Sequence, residues 1–449
     1  MSNADQYIAL YEQQADTIRQ HSAAALNAHR DEAFAHFRQC GFPTNKHENY
    51  LRCPILKDLE TDYGLNLKQL PFAVDEKNLF RCNVPGVKAH NAFVLNDQLH
   101  FSETLPQGMV LCSLSEACQR YPEIIAKYLG KKTDKTDDAF VAFNGAFAQN
   151  GYFLYLPKNA ALELPIQLVN VLHATADLMT ATHNLIVLEQ GATLRMLVCD
   201  HTLAEVNFFA SRVTEIFVGE NAHFDLYALE STNDTTAQIS QIFVEQAANS
   251  QTTFDCVSLH NGHTRNHIEI DLAAEGAETW LGGMVTADGA QKCDNFTVIR
   301  HLAPRCTSNE LFKYILDGEA EGAFAGQILV EKGAQKTSAY QTNRNICLSK
   351  TAHMHAKPQL EIYADDVKCG HGATTGQLDE NALFYMRTRG IGYDEARMLL
   401  LLAFAADVLD KIAVTAVRDR LRMMVEQRLR GNDAKCNACV TKNGGCPNA

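Results

Sequence analysis

The chain has 449 residues, enough to bury a large core in two or three domains, with 46% hydrophobic and 21% charged residues as in ordinary globular proteins. A net charge of −13 argues against a nucleic-acid or anionic-membrane surface. The longest apolar run, Met398 to Ala406, has nine residues, about half of a membrane span. The opening MSNADQYIALYEQQ lacks the basic and apolar stretches of a signal peptide. A cytoplasmic protein with no membrane contact is expected. Most of the 14 cysteines are scattered singly, as small buried hydrophobes in a reducing compartment would be.

Apolar residues at helical spacing from Ala4 to about Arg38 predict one helix, ended by Gly41-Phe42-Pro43. The segment PTNKHENYLRCPI is expected to pack Tyr50 into the core. Residues 54 to 135 alternate short strands and helices, and the charge run Lys131 to Asp138 reads as a solvated boundary loop. From Leu168 to Leu348 short strand-like runs recur, among them NLIVLE, TLRMLVCD, VTEIFVG and HIEIDLAAE. The turns between them carry Gly191, Asn221, Asn249 and Gly276, spaced 30, 28 and 27 residues apart. The triplets Glu321-Gly322-Ala323 and Lys332-Gly333-Ala334 also read as turns and break the regularity. A loose period without intervening amphipathic helices predicts a β-solenoid. A β-sandwich, the main alternative, does not require a repeat.

Gln359 to Cys369 reads as one strand, interrupted in its alternation by Asp365-Asp366. Asp379 to Arg389 predicts a helix with Asp379 at its N-cap and Gly390 past its end. Asp394 to about Arg430 predicts one long or broken helix. Its run Met398 to Ala406 is apolar all round, either buried on several sides or a partner patch. The arginines from Arg418 to Arg430 are expected on a solvated face. The resulting division is 1–138, mostly helical with some α/β character; 139–377, the β-solenoid core; 378–432, helical; and 433–449, a cysteine-containing tail.

No phosphate-binding loop, zinc-protease helix, nucleophile elbow or dinucleotide-binding glycine loop is present. No nucleotide is expected on this chain, and an ATPase activity would have to come from a partner. Cys369 and His371 are two residues apart, so in extended backbone their side chains leave on one face. A thiolate beside an imidazole suits iron or zinc. The plain alternative is a buried cysteine near a surface histidine beside a glycine-rich turn. His260, His263 and His267 straddle Asn261-Gly262 and read as polar residues at a solenoid corner. His353 and His355 read as a loop pair. Cys436, Cys439 and Cys446 could hold a metal or cluster with a fourth ligand from elsewhere or from a partner, the plain alternative being a disordered tail with reactive thiols.

EIYADDVKCGHGATTGQLDENALFYMRTRGI, Glu361 to Ile391, resembles the C-terminal signature of the SufB/SufD family of iron–sulfur cluster assembly proteins, in its SufD form. PTNKHENYLRCPI, FVAFNGAF with FLYLPK, and the stretch from Ser308 to Ser349 are similar to the family as well. The resemblance implies a mainly β fold, a right-handed parallel β-helix between helical terminal domains. It implies a complex with a SufB-like paralogue and a SufC-like ABC ATPase, the ATPase docking on the helices of 379–412. It implies further that a transient iron–sulfur cluster, or iron, is held where the two scaffold subunits meet, and Cys369 and His371 match the SufD-side pair at that contact. The SufB-type cysteine that receives sulfur is not evident, and a homodimer stays open. Two other readings are a β-helix enzyme acting on polysaccharide and a purely structural, protein-binding solenoid. The enzyme reading is disfavoured because Asp365 and Asp366 would point to opposite faces and the chain has one Trp.

Overall fold

In the computed structural model, which describes residues 3–44, 46–71, 87–106 and 108–431, the β-rich region folds as a solenoid of two stacked sheets. One sheet contains β1 (His90–Leu95), β2 (Gln98–His100), β5 (Ile166–Leu172), β7 (Thr193–Thr202), β9 (His223–Ser231), β11 (Gln251–His260), β13 (Glu278–Ala287), β15 (Thr307–Leu316), β17 (Ser338–Cys347) and β19 (Lys368–Gly376). The other contains β3 (Val110–Ser113), β4 (Tyr152–Leu156), β6 (Leu178–Leu188), β8 (Phe208–Val218), β10 (Thr236–Gln246), β12 (His263–Leu272), β14 (Lys292–His301), β16 (Glu321–Val330) and β18 (His353–Ile362). Each coil gives one strand to each sheet and pairs in parallel with the coil before it. At the first end the short β2 and β3 pair antiparallel, to β1 and β4 respectively.

Every second side chain points into the space between the sheets, where Leu156, Leu168, Ile186, Met196 and Ile216 begin a continuous core. The outer faces are covered too, so β6 is buried along its whole length. That is why the strands read as near-continuous apolar runs.

The corners explain the period. Gly191, Asn221, Asn249 and Gly276 all have positive φ, between 54° and 76°. Each donates its backbone N–H to a carbonyl of the next coil, at 2.8 to 3.3 Å. Arg305 and Lys336 continue the ladder with φ of 58° and 60°, donating to Gln335 and Asp366. Left-handed backbone turns the chain through the corner while keeping the coil-to-coil bond. Glu321-Gly322-Ala323 is therefore no turn: it opens strand β16.

Helices α1 (Asn3–Gln20), α2 (Ala24–Cys40) and α5 (Ala139–Phe147) cover the even-numbered sheet. Their aromatic side chains, Tyr7, Phe37, Phe140 and Phe143, pack on Met179, Leu185 and Phe209. The expected single N-terminal helix is two. The break falls at Ala23, whose ψ of 132° is extended and whose N–H goes to the Gln149 carbonyl. Tyr50 is buried, as expected. Helices α3 (Leu114–Arg120) and α4 (Pro122–Tyr128) lie between these elements in sequence. The run Lys131 to Asp138 is an anchor and not a solvated loop. Lys132 pairs with Asp271, and Asp138 both caps α5 and accepts the Tyr50 hydroxyl.

Helices α6 (Glu380–Thr388), α7 (Tyr393–Leu409) and α8 (Thr415–Leu429) follow the solenoid. Asp379 caps α6 through the N–H groups of Asn381 and Ala382. Leu401, Ala405, Val408, Leu421 and Val425 of α7 and α8 seal the outer face of the odd-numbered sheet, so the Met398–Ala406 run is buried at Met398, Leu401 and Ala405 and exposed at Leu399. The face is not simply solvated: Arg428 bonds Asp288 at 2.6 Å, and Arg430 bonds Glu395 at 3.0 Å.

Candidate functional site

The last coil is built differently from the rest. Gln359 to Cys369 is two strands with a corner between them, not one strand. Asp365 and Asp366 sit at that corner, where the Lys336 N–H bonds the Asp366 carbonyl and the Asp366 N–H bonds Gln335 Oε1 at 2.9 Å. His353 and His355, expected in a loop, lie in β18. Pro358 also lies in β18, which is tolerated because β18 is an edge strand.

Cys369 and His371 are both on β19, opposite Ala339 and Gln341 of β17. Ala339 and Gln341 are buried, so Cys369 and His371 continue two inward-facing columns to the end of the stack. Cys369 is half-buried against Ile328, Val330, Ala339 and Ala364. Burial pushes its thiol above the ordinary range, while the backbone at Ala339 works the other way. A protonated thiol is a poor nucleophile and becomes a ligand when a metal displaces its proton. His371 is exposed. The glycines at 370, 372 and 376 belong to the strand and not to a turn.

β18 and β19 are the terminal strands of their sheets, with no further strand beyond them among the described residues. Beside them stand exposed apolar side chains, Tyr340, Ile362 and Tyr363, the last 61% exposed. Unpaired edges flanked by apolar groups form a template for another chain. A second exposed set, Phe384, Tyr385, Tyr393 and Leu399, lies on α6 and α7.

The histidines of the Asn261-Gly262 corner go to separate partners. His260 bonds the Thr232 carbonyl, His263 faces Asp58, and His267, well inside β12 and away from the corner, faces Glu269. Among the described residues no three His, Cys, Asp or Glu side chains converge as a metal would require. Cys369 and His371 alone are at most half of a coordination shell. Cys436, Cys439 and Cys446 lie outside the described residues. The open edge beside Cys369 and His371 had no sequence signal, because it is a property of the stack.

These features define a class: a two-sheet β-solenoid clad by helices, with a thiol and an imidazole on its unpaired last coil. The family description "SufBD protein N-terminal region" matches residues 1–168, and "SUF system FeS cluster assembly, SufBD core domain" matches 171–404. A SufBD family iron–sulfur cluster assembly protein of Synechocystis is 31% identical over 74% of this chain and 75% of its own. The iron–sulfur cluster assembly proteins SufD of Bacillus subtilis and Escherichia coli are 27% and 28% identical, over 73% and 66% of this chain and 76% and 70% of their own. The chain belongs to the SufB/SufD family of iron–sulfur cluster assembly proteins, and its likeness is to SufD. Among the described residues no helix is long and apolar enough to cross a membrane.

Proposed function

We propose that this chain is a non-catalytic scaffold subunit of a SUF complex. It pairs through its last coil with a SufB-like paralogue. Residues 379–412 dock a SufC-like ABC ATPase, which supplies the nucleotide chemistry absent here. A nascent iron–sulfur cluster, or iron, is the cargo, and Cys369 and His371 contribute ligands from this side of the seam.

The observation that carries this reading is the position of the two side chains on an unpaired terminal coil. A partner coil adding to β18 and β19 would satisfy the open backbone groups and complete the shell begun by the thiol and the imidazole. The exposed aromatics of α6 and α7 support a second docking surface.

The test is co-purification of wild type, Cys369→Ser and His371→Ala with the SufB-like and SufC-like proteins of the same organism, counting iron and sulfide. The expected result is an intact complex with less iron and sulfide in both variants. Unchanged iron and sulfide would make the pair structural, and failure of the wild-type complex would refute the pairing itself. A stable homodimer of the chain alone would favour a second copy as the partner.

A further inference from the structure

Of the two candidate ligands, only His371 has a buried side-chain acceptor as its neighbour in the stack. Cys369 stands opposite Ala339, which offers a methyl group, whereas His371 stands opposite Gln341. Gln341 is 1% exposed. Its Nε2 donates to Glu310 of β15 at 2.6 Å, and Glu310 is itself held by the Thr297 hydroxyl at 2.6 Å. The side chain lies in a notch at Gly326 of the facing sheet, where a Cβ would come within 2.3 Å of Nε2. The amide is thus fixed with its nitrogen turned back toward the preceding coil.

Gln341 Oε1 is left buried, with no hydrogen-bond partner among the described residues. Buried polar atoms are as a rule satisfied, so an orphaned acceptor marks a place where a donor belongs. The oxygen of an amide points away from its nitrogen, here away from Glu310 and β15. The strand on the other side of β17 is β19, about 4.8 Å away, and its residue in this column is His371. The His371 side chain is exposed, so its ring turns about its own side-chain bonds without any shift of backbone.

We infer that Gln341 is the positioning residue for His371: Oε1 accepts one ring N–H and leaves the other nitrogen, with its lone pair, facing the open end of the coil. An imidazole held through one nitrogen by an oxygen acceptor keeps one tautomer and one orientation, the arrangement that presents the other nitrogen to a metal. Glu310 acts one step further back, by preventing the amide from flipping. A reversed amide would donate its NH2 group to the ring and occupy the lone pair that a metal needs. This role rests on His371 being a ligand, as proposed above.

The first measurement uses the full chain alone, labelled with 15N-histidine, at about pH 8, where an ordinary imidazole is neutral. Long-range 1H–15N correlations read the tautomer of His371, and the His371→Ala spectrum identifies its signals. Wild type should show a single tautomer. Gln341→Leu, of similar volume but without an acceptor, should give the tautomer mixture of a free imidazole while the other histidines keep their signals. Gln341→Glu, which restores an acceptor, should bring the single tautomer back. A mixture in wild type would overturn the inference, and that result is available even if Gln341→Leu fails to fold. So would a single tautomer retained in Gln341→Leu, with only the melting temperature lowered. The second measurement is iron binding by the complex with the SufB-like and SufC-like proteins, which Gln341→Leu should weaken about tenfold or more. Iron unchanged in Gln341→Leu but reduced in His371→Ala would overturn the positioning role. Iron unchanged in both would instead remove His371 as a ligand, and the hydrogen bond read in the free chain would still stand.

Discussion

Gln341 and His371 are direct neighbours across β17 and β19, and the Gln341 amide donates to Glu310 at 2.6 Å inside the solenoid. Glu310 also takes the Thr297 hydroxyl at 2.6 Å. The inward column that ends at the candidate ligand therefore rests on a buried carboxyl group.

Burial pushes the Glu310 carboxyl up to about 7, against smaller opposing effects of Thr297 and Gln341. Its unfolded value is about 4.3, so between these values the folded state holds the extra proton. Its stability contribution is complete below about 4 and is lost as pH rises through 7. Glu310→Gln can still accept from Gln341 and donate to Thr297. We expect it to match wild type near pH 4 and to exceed it at pH 8, by on the order of 4 kcal/mol at most. Thermal melts at pH 4 and pH 8 check this, and an equal shift at both would refute it.

Arg265 and Asp294 form a buried ion pair on the outer face of the even-numbered sheet, with the guanidinium 4.3 Å from the Tyr50 ring centroid. Asp294→Ala leaves that cation unpaired and should cost about 3–5 kcal/mol. Arg265→Met/Asp294→Leu removes both charges and should cost less than the single change. Urea denaturation orders the two variants, and the reverse order would show that the pair itself supplies the stability.

A side chain at Gly191 meets two obstacles. Its φ is +70°, and a Cβ would lie 2.3 Å from Asn159 Oδ1 of the preceding coil. Gly191→Ala should cost about 1 kcal/mol from backbone strain and a further share from the clash. In an Asn159→Gly background only the backbone share should remain. A double-mutant cycle measures the difference, and strict additivity would remove the clash from the account.

Helix α6 buries only Leu383, so its cap carries much of its order. Asp379→Ala should cost about 1 kcal/mol locally. Hydrogen exchange should quicken in residues 380–388 and stay unchanged in β5 to β17. Faster exchange in the strands would mean that the helix and the solenoid open together.

The solenoid was legible as long as its corner residues advertised themselves. Gly and Asn tolerate the left-handed conformation, so positions 191, 221, 249 and 276 stood out. At Arg305 and Lys336 the same φ is imposed by coil-to-coil hydrogen bonds on side chains with no such preference. The period therefore fades from view after Gly276, and Gly322, inside a strand, misleads. The pairing of Cys369 with His371 was legible because both lie on one strand. The unpaired edge beneath them was not, because an edge is defined by the strand that fails to follow.

The two ends of the solenoid differ in a way that governs assembly size. The first ends in strands of three and four residues running against their neighbours, a poor template for further parallel coils. The last ends in strands of ten and nine residues in register with the stack. Under the pairing proposed above, a rod that joins a partner only through its last coil cannot polymerise. Two such rods meeting at their adhesive ends consume both and close the interface on itself, in the manner of a two-fold dimer. On that proposal the exposed edge of a long parallel sheet, ordinarily the seed of a fibre, is consumed in a pair.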